Sequence, residues 1–322
     1  MMNEFELIQH FFTRSACAQG GENVSLGIGD DCALLQLPAG HSCAVSTDTL
    51  VCGIHFPENS PAFLLGQRAL AVAVSDLAAM GATPIGFTLA LTLPQIDAAW
   101  LQAFSEGLSA MAQRCAITLV GGDTTRGPLA MTMTVMGAVP KQQALLRSGA
   151  QVGDVLCVSG PLGAGAAAVP VVLAEIDPQT IAADTQQQLL AAYWSPQPQL
   201  RLGQYLRGKA HAALDISDGL LADCGHIAKA SNVCLQIQQA RVPVATAAQQ
   251  LLGDAAALDC ALSGGDDYQL AFTLAAHELT QLQQQFPAVQ VVGQVCAGAG
   301  VQLLDDLGQP VSQRRSGYQH FT

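Results

Sequence analysis

Aspartate beside glycine recurs along the chain, in short turns that could hold divalent cations. Residues 27–31 read GIGDD, residues 121–123 read GGD, residues 215–219 read DISDG and residues 263–267 read SGGDD. Adjacent carboxylates repel one another, and a bound cation relieves that repulsion. Hard cations such as Mg²⁺ take oxygen ligands and are usually held by a few carboxylates together with substrate phosphates. Each turn alone also suits a solvated loop, because Asp and Gly are ordinary turn residues; it is their recurrence that favours cations.

Ser46, Thr47 and Asp48 stand together at what the pattern predicts to be the polar end of a strand over residues 43–49. Strand ends are where ligands gather in α/β proteins. Two hydroxyls and a carboxylate would offer oxygen ligands there. On this segment alone, a strand-terminal turn explains the residues equally well.

Asp76 is the only charged residue between Ala69 and Met80. It lies near the end of a predicted helix over residues 61–80 that is apolar on nearly all sides, which is typical of a buried helix. A buried carboxylate is costly unless it is paired or bound to metal. A salt bridge to an arginine would explain it, but the first half of the chain has few basic residues, which favours metal.

Two further acidic segments suit nucleotide or metal binding. Residues 121–126 follow a predicted strand over residues 117–120, and their two glycines would let the backbone approach a ligand closely. Asp215 and Asp218 would lie near the N-terminus of a predicted helix over residues 217–230, where the helix dipole favours anions. Helix capping would explain one of these carboxylates. The presence of two suggests a metal or nucleotide contact.

The composition also points to cations and phosphates. The 322 residues are 50% hydrophobic and 12% charged, with a net charge of −12, whereas nucleic-acid recognition needs basic patches. The chain starts without a signal-peptide pattern, and no apolar run reaches the ~20 residues of a membrane span. Ten cysteines include no CxxC pair, which is typical of free thiols in a reducing compartment. A soluble, cytoplasmic protein is therefore expected.

The length suggests two domains of ordinary size, with a boundary near residues 140–153. The recurring aspartates beside small and hydroxyl residues suit phosphoryl transfer, in which cations bridge phosphate oxygens and positioning carries most of the catalysis. The chain lacks a P-loop, the kinase HRD and DFG motifs, and an evident Ser-His-Asp set. The residues alone predict an ATP- and Mg²⁺-dependent enzyme of an unusual fold.

Taken together and in order, these segments resemble the thiamine-monophosphate kinase family. Any one of them is weak, but the ordered set is highly specific and spans nearly the whole chain. The wider superfamily includes aminoimidazole ribonucleotide synthetase, selenophosphate synthetase and a hydrogenase maturation factor. The matching segments are residues 27–33, 46–51, 55–56, 75–82, 121–125, 215–220 and 263–268.

The resemblance implies a two-domain α/β (α+β) fold like that of aminoimidazole ribonucleotide synthetase. Residues 1–145 would form an N-terminal domain of sheet plus helices, which binds metal and ATP and dimerises through its sheet. Residues 146–322 would form a C-terminal α/β domain that completes the nucleotide and substrate site. The nucleotide and several Mg²⁺ ions would sit between strand ends of the two domains, and the protein would be a homodimer.

The resemblance also implies an activity, the ATP-dependent phosphorylation of thiamine phosphate to thiamine diphosphate by direct in-line transfer. By matched position, the metal ligands would be Asp31, Ser46, Thr47, Asp48, Asp76, Asp123, Asp215 and Asp218. ATP would contact Gly122, Asp123, Arg147 and Ser217, and thiamine phosphate would contact His55, Asp266 and Tyr318. Asp123 and Asp218 would matter most for transfer. The family usually carries Glu where this chain has Asp266, so the carboxylate is one methylene shorter.

Two other classes stay open. Another ATP-using member of the superfamily, a purine-intermediate or selenophosphate synthetase, is one; Cys17 does precede Gly20 and Gly21, but the lysine expected beside a reactive cysteine is missing. A catalytically silent nucleotide- or thiamine-phosphate-binding protein is the other. It would show lost ligands, and the change at Asp266 is the only departure of that kind.

Overall fold

The computed structural model describes residues 3–311, and the chain divides into two compact units. Unit 1 runs to Leu77 and resumes over Ala82–Gln142, whereas unit 2 comprises Ala78–Gly81 and the chain from Gln143 onward. The roles given to the two predicted domains, and a boundary at residues 145 and 146, stay predictions.

Unit 1 is built on a four-stranded mixed sheet in the order β3-β6-β4-β5. A small antiparallel pair, β1 and β2, precedes it. The strands are β1 (Val24–Leu26), β2 (Leu34–Leu35), β3 (His41–Val51), β4 (Thr83–Leu93), β5 (Thr118–Arg126) and β6 (Ala130–Pro140). The helices are α1 (Glu4–Leu7), continued by a π-helical segment over Ile8–Thr13, α2 (Ala62–Ala79) and α3 (Ala98–Cys115). Asp97 caps α3 by accepting hydrogen bonds from the backbone N–H groups of Ala99 and Trp100.

Strand β3 is longer than predicted, and its polar residues lie inside it. The prediction that Ser46–Asp48 form a strand end is wrong, because the strand continues to Val51. An edge strand with one open face accommodates polar side chains by alternation. The side chains of Ser46 and Asp48 are half-buried on one face, and Thr47 is exposed on the other.

The predicted end of a strand at residue 120, with a Gly–Asp turn after it, is also wrong, since residues 121–126 continue strand β5 to Arg126. Glycine inside a strand marks a bulge or a close backbone approach, and both occur here. The pairing with β4 shifts register between Phe87 and Thr88. A Cβ atom on Gly122 would lie 1.9 Å from the carbonyl oxygen of Leu89. Gly122 therefore serves strand pairing, whereas a Cβ on Gly121 would lie at an ordinary contact distance of 3.7 Å from Thr88.

Helix α2 is the apolar helix predicted over residues 61–80, and it packs tightly against α3. By length and composition alone it could span a membrane, but 72% of it is buried within the fold, which is equally the pattern of a core helix. Glycines bring the helices together: a Cβ on Gly66 would lie 2.3 Å from the Phe104 carbonyl oxygen, and one on Gly107 would lie 1.8 Å from that of Phe63.

Gly107→Ala should therefore destabilise unit 1, because the added methyl group must push two backbones apart. Overpacking of this kind costs about 1–3 kcal/mol, and urea unfolding followed by circular dichroism would measure it. Gly225→Ala is the matched control, since nothing lies within 4 Å of a Cβ at this helical glycine. The control should be neutral or slightly stabilising. Equal effects of the two substitutions would contradict the close packing of α2 on α3.

Unit 2 holds a six-stranded sheet in the order β12-β9-β11-β7-β10-β8, in which only the β12–β9 pair is parallel. Its strands are β7 (Val155–Val158), β8 (Ala210–Asp215), β9 (Cys234–Gln238), β10 (Leu270–Leu274), β11 (Gln290–Cys296) and β12 (Gly300–Leu304). Its helices are α4 (Ala164–Val172), α5 (Ala183–Trp194), α6 (Leu200–Leu206), α7 (Leu220–Ser231), α8 (Thr246–Leu252), α9 (Asp254–Ser263) and α10 (Leu279–Gln285).

The described residues of unit 2 form two apolar cores, and strand alternation divides residues between them. Leu156 and Val158 of β7 belong to the core that includes α7 and α9, whereas Cys157 belongs to the core that includes α6 and α10. Strands β7 and β8 both run antiparallel to β10. The ends of β7 and β8 therefore lie at the same edge of the sheet as the start of β10, and the loops found there carry the conspicuous aspartates.

Candidate functional site

One cavity of unit 1, of about 150 Å³, brings together two of the Gly–Asp segments. Residues 28–33 of the first turn line one part of it, and residues 119–124 of β5 line another. Ile8 and Phe12 from the N-terminal helical segment and Leu89 from β4 complete the wall. Asp31 and Asp123, more than ninety positions apart in the sequence, thus reach the same cavity, as a shared cation would require.

The charges of this cavity all have one sign. Its charged lining residues are Asp30, Asp31 and Asp123, and no Lys, Arg or His of the described residues lines it. The carboxylates that line the cavity would offer oxygen ligands, which a hard cation prefers. Mg²⁺ in particular keeps part of its shell for water and phosphate, so a few carboxylates suffice.

A second acidic group of unit 1 consists of Ser46, Asp48 and Asp76. The Ser46 hydroxyl donates a hydrogen bond to Asp76 Oδ2. Burial, together with the negative charge of Asp76, raises the pKa of Asp48 to about 6. Asp76 lies in the last turn of α2 and is half-buried. The cost of burying its carboxylate is therefore smaller than the sequence predicts. A cation beside Asp48 and Asp76 would relieve the repulsion between them.

Thr47 is turned away from this group. Its hydroxyl lies on the open face of the sheet, 2.9 Å from that of Thr134, and Thr49 pairs in the same way with Thr132. If Thr47 shares a metal site with Ser46 and Asp48, it must do so through its backbone carbonyl.

In residues 3–311, no three His, Cys, Asp or Glu side chains form a ready metal-binding group. The acidic residues of unit 1 instead occur as the cavity set and the Asp48–Asp76 pair. Sites of this kind gain their remaining ligands from water and from phosphate oxygens.

The raised pKa of Asp48 predicts how pH should act on cation binding. A cation binds the carboxylate form, so apparent Mg²⁺ affinity should rise about tenfold between about pH 5 and about pH 7.5 through this residue. The stability of the metal-free protein should change in the opposite direction and fall as pH rises. An acid whose pKa is raised on folding stabilises the fold at low pH, and this contribution is lost as pH rises through 6. Thermal melts with and without Mg²⁺ across this range would measure both effects.

Asp48→Asn is the control for this pH dependence, because Asp223 and Asp267 also have raised pKa values. The melting temperature of this variant should lose the pH dependence that Mg²⁺ suppresses in wild type. It should keep the pH dependence that comes from Asp223 and Asp267. If the melting temperature of wild type with Mg²⁺ changes with pH as that of the metal-free protein does, the assignment to Asp48 is wrong.

In unit 2, the loop over residues 215–219 is held in a defined conformation. Asp215 is buried at the end of β8. Helix α7 begins at Leu220, three residues after the predicted start at Ser217, so that prediction is wrong. The reason is Asp223, whose carboxylate accepts hydrogen bonds from the backbone N–H groups that precede the helix. Burial raises the pKa of Asp223 to about 6, against the opposing effect of these hydrogen bonds.

The SGGDD segment lies directly against this loop. The backbone N–H of Asp266 donates to the Ser217 carbonyl at 3.0 Å, and that of Tyr268 donates to the Ile216 carbonyl at 2.8 Å. A Cβ on Gly265 would lie 2.2 Å from the Ser217 oxygen, so only glycine fits. Two acidic segments that are about fifty residues apart in sequence thus form one surface.

The two aspartates of this segment have different environments. Asp267 is buried and accepts hydrogen bonds from the Gly163 N–H at 2.8 Å, at the start of α4. Burial raises its pKa to about 8, although backbone N–H groups oppose the shift. Asp266 is half-buried, and its carboxylate accepts a hydrogen bond from the Tyr268 hydroxyl at 2.9 Å. Both Asp266 and Tyr268 have positive φ, a strained conformation that is typical of functional sites.

Three predicted contact residues remain, His55, Arg147 and Tyr318. His55 accepts a hydrogen bond at Nδ1 from the Val51 N–H, which leaves Nε2 as the protonated nitrogen of a neutral ring. Arg147 is exposed in the segment before β7. Tyr318 lies outside the described residues. Asp223 is absent from the sequence predictions, whereas Asp267 and Tyr268 lie in a predicted segment without an individual role. The signal available for Asp223 is an acidic residue in the first turn of a helix that follows a glycine turn.

Comparison with known proteins identifies the fold. Residues 29–139 match the AIR synthase related protein N-terminal domain, and residues 151–306 match the corresponding C-terminal domain. The thiamine-monophosphate kinase of Escherichia coli (strain K12) is 43% identical over 99% of this chain and 98% of its own length.

Solved structures give the same result. A crystal structure of thiamine-monophosphate kinase from Stenotrophomonas maltophilia K279a has a TM-score of 0.83 and 44% identity, covering 90% of this chain and 93% of that one. AaThiL complexed with AMPPCP and TMP has a TM-score of 0.79 and 27% identity, covering 92% and 93%. The predicted two-domain fold is confirmed. The chain belongs to the thiamine-monophosphate kinase family, whose two halves are the domains of AIR synthase related proteins.

Proposed function

We propose that this protein transfers the γ-phosphoryl group of ATP to thiamine phosphate, giving thiamine diphosphate and ADP. The match to the thiamine-monophosphate kinase of Escherichia coli supports this, because it covers nearly the full length of both chains. The AaThiL complex holds an ATP analogue together with TMP. The observation that carries the proposal in this chain is the cavity lined by Asp30, Asp31 and Asp123, which no basic side chain of residues 3–311 lines.

The reaction needs little covalent chemistry from the protein. A phosphate oxygen of thiamine phosphate forms a bond to the γ-phosphorus of ATP, the bond from that phosphorus to the β,γ-bridging oxygen breaks, and ADP leaves. The second pKa of a phosphate monoester is about 6, so the acceptor is largely dianionic near neutral pH and needs no base. This agrees with the lack of an evident nucleophile–base pair in the sequence.

The chain's own residues would bind and orient the reactants. Asp31, Ser46, Thr47, Asp48, Asp76 and Asp123 of unit 1, with Asp215 and Asp218 of unit 2, would hold several Mg²⁺ ions. Bound Mg²⁺ supplies charge neutralisation at the phosphate oxygens. Gly122, Arg147 and Ser217 would contact ATP, and His55, Asp266 and Tyr318 would contact thiamine phosphate.

Assembly as a homodimer in the cytoplasm belongs to the same proposal. The open face of the unit 1 sheet supports it, because Val45 is 60% exposed there among paired threonines. Sedimentation of the full chain would test the dimer.

Incubation with ATP, Mg²⁺ and thiamine phosphate should yield thiamine diphosphate and ADP in equal amounts, measured by chromatography. Thiamine in place of its phosphate is the control acceptor and should give no diphosphate. Folded protein, verified by a cooperative melt, that left thiamine phosphate unchanged but consumed ATP with a purine intermediate would overturn the proposal.

A further inference from the structure

One buried carboxylate of unit 2, Asp223, organises the loop that carries several predicted ligands. Its Oδ2 atom accepts hydrogen bonds from the backbone N–H groups of Ser217, Asp218 and Gly219, at 3.1, 3.0 and 3.1 Å. Asp223 is only 4% exposed. It lies in α7, and its side chain reaches back past the start of its own helix. A single atom therefore fixes three consecutive peptide groups.

Three successive N–H groups that converge on one point form a concavity that binds anions. At the N-terminus of a helix, such a concavity is a common phosphate site. Here the chain's own carboxylate occupies it. A phosphate group could use these amides only by displacing a buried anion that already has its hydrogen bonds.

The rest of the loop is held independently of Asp223. The Ser217 carbonyl accepts from the Asp266 N–H at 3.0 Å. Gly219 has φ +117°, and a Cβ there would lie 2.8 Å from the backbone carbon of Ser263. The carbonyl side of the loop is thus fixed by neutral backbone contacts, whereas the N–H side depends on the carboxylate of Asp223.

We propose that Asp223 is a positioning residue for phosphoryl transfer, which closes the amide concavity of residues 217–219 to phosphate and holds the loop so that Asp215 and Asp218 bind cations. Unit 2 then meets the polyphosphate through metal ions and side chains, not through backbone amides. The part that concerns cations rests on the proposed function. The part that concerns the concavity rests on the hydrogen bonds alone.

Asp223→Ala and Asp223→Asn test the proposal with readouts besides turnover. Without metal, deuterium exchange of a peptide covering residues 213–221 should be at least about tenfold faster in the alanine variant and intermediate in Asn, which keeps an acceptor oxygen. The Mg²⁺ concentration for half-maximal activity should rise about 10–100-fold, as for other residues that support metal ligands.

The direction in which metal-free nucleotide affinity changes separates this role from a merely structural one. With the concavity vacated, the alanine variant should bind metal-free AMPPCP several-fold more tightly than wild type in calorimetry, while its affinity for AMPPCP with Mg²⁺ falls. Damage to the fold would lower both affinities. If Asp223→Ala does not fold, the same comparison with Asp223→Asn should give smaller changes of the same signs.

Asp154→Asn is the matched control. Asp154 is also 4% exposed in unit 2, and it accepts hydrogen bonds from the Gln151 N–H and His211 Nδ1 at 2.9 Å. It precedes β7, so it lies at the other end of the sheet from the loop. This variant should melt at a lower temperature with unchanged Mg²⁺ dependence and unchanged exchange at residues 213–221.

Two outcomes would overturn the proposal: Asp223 variants that match Asp154→Asn in Mg²⁺ dependence and exchange, or a loss of metal-free AMPPCP binding in Asp223→Ala. Either result would leave the wild-type kinase assay untouched. Conversely, faster exchange and tighter metal-free binding in a chain that makes no thiamine diphosphate would uphold the closed concavity and reject the proposed function.

Discussion

Replacing Asp123 by alanine should reduce phosphoryl transfer by roughly 10³-fold or more while leaving the melting temperature of the metal-free protein unchanged or raised. A metal ion that neutralises transition-state charge contributes several kcal/mol, which corresponds to a loss of about this size. Asp123 shares its cavity with Asp30 and Asp31 and no basic side chain of the described residues. Removing one of three like charges relieves repulsion, so the fold should not suffer.

Asp31→Ala should behave in the same way, because it removes a carboxylate from the same cavity. Asp123→Asn separates charge from shape, since it keeps the volume and should lose nearly as much activity. Asp259→Ala, at an exposed position in α9, is the control and should retain full turnover. A melting temperature that falls sharply for Asp123→Ala in the absence of Mg²⁺ would mean that the carboxylate supports the fold, and this reading of the cavity would fail.

The sequence predicts the apolar elements well because their periodicity reports burial directly. Helix α2 is expected over residues 61–80 and found over Ala62–Ala79. Helices α8 and α9 are not predicted, since residues 246–263 are rich in alanine and offer little contrast between apolar and polar faces. Strand β5 is cut short in prediction because glycine is read as a turn residue, whereas here it allows close strand pairing.

The site is predicted in its residue types but not in its geometry. Asp31 and Asp123 are recognisable as ligands from their glycine neighbours, yet only the folded sheet brings them to one cavity. The sequence does not reveal Asp223, and it marks Asp267 only as part of an acidic turn. Each accepts hydrogen bonds from backbone N–H groups, and a residue that binds backbone leaves no pattern of partner side chains in the sequence. Thr47 differs from its neighbours only through strand alternation, which the prediction of a strand end concealed.

Asp76→Asn should lower turnover by roughly 10²–10³-fold and should also decide between an enzyme and a silent binding protein. Asparagine keeps an oxygen that can accept from the Ser46 hydroxyl, so the local structure should persist. It removes the charge that helps to raise the pKa of Asp48. The loss of one cation ligand accounts for the expected size of the effect.

The same substitution should therefore alter two measurements in opposite ways. The pH at which Mg²⁺ binding is half-developed should move below the value near 6 set by Asp48, because the repulsion from Asp76 is gone. Turnover at saturating Mg²⁺ should nevertheless stay low, since a ligand is missing. A catalytically silent binding protein would have no wild-type turnover to lose, and the substitution would leave most of its affinity for thiamine phosphate. Asp259→Asn is the matched surface control, and full activity of Asp76→Asn would exclude Asp76 from the metal site.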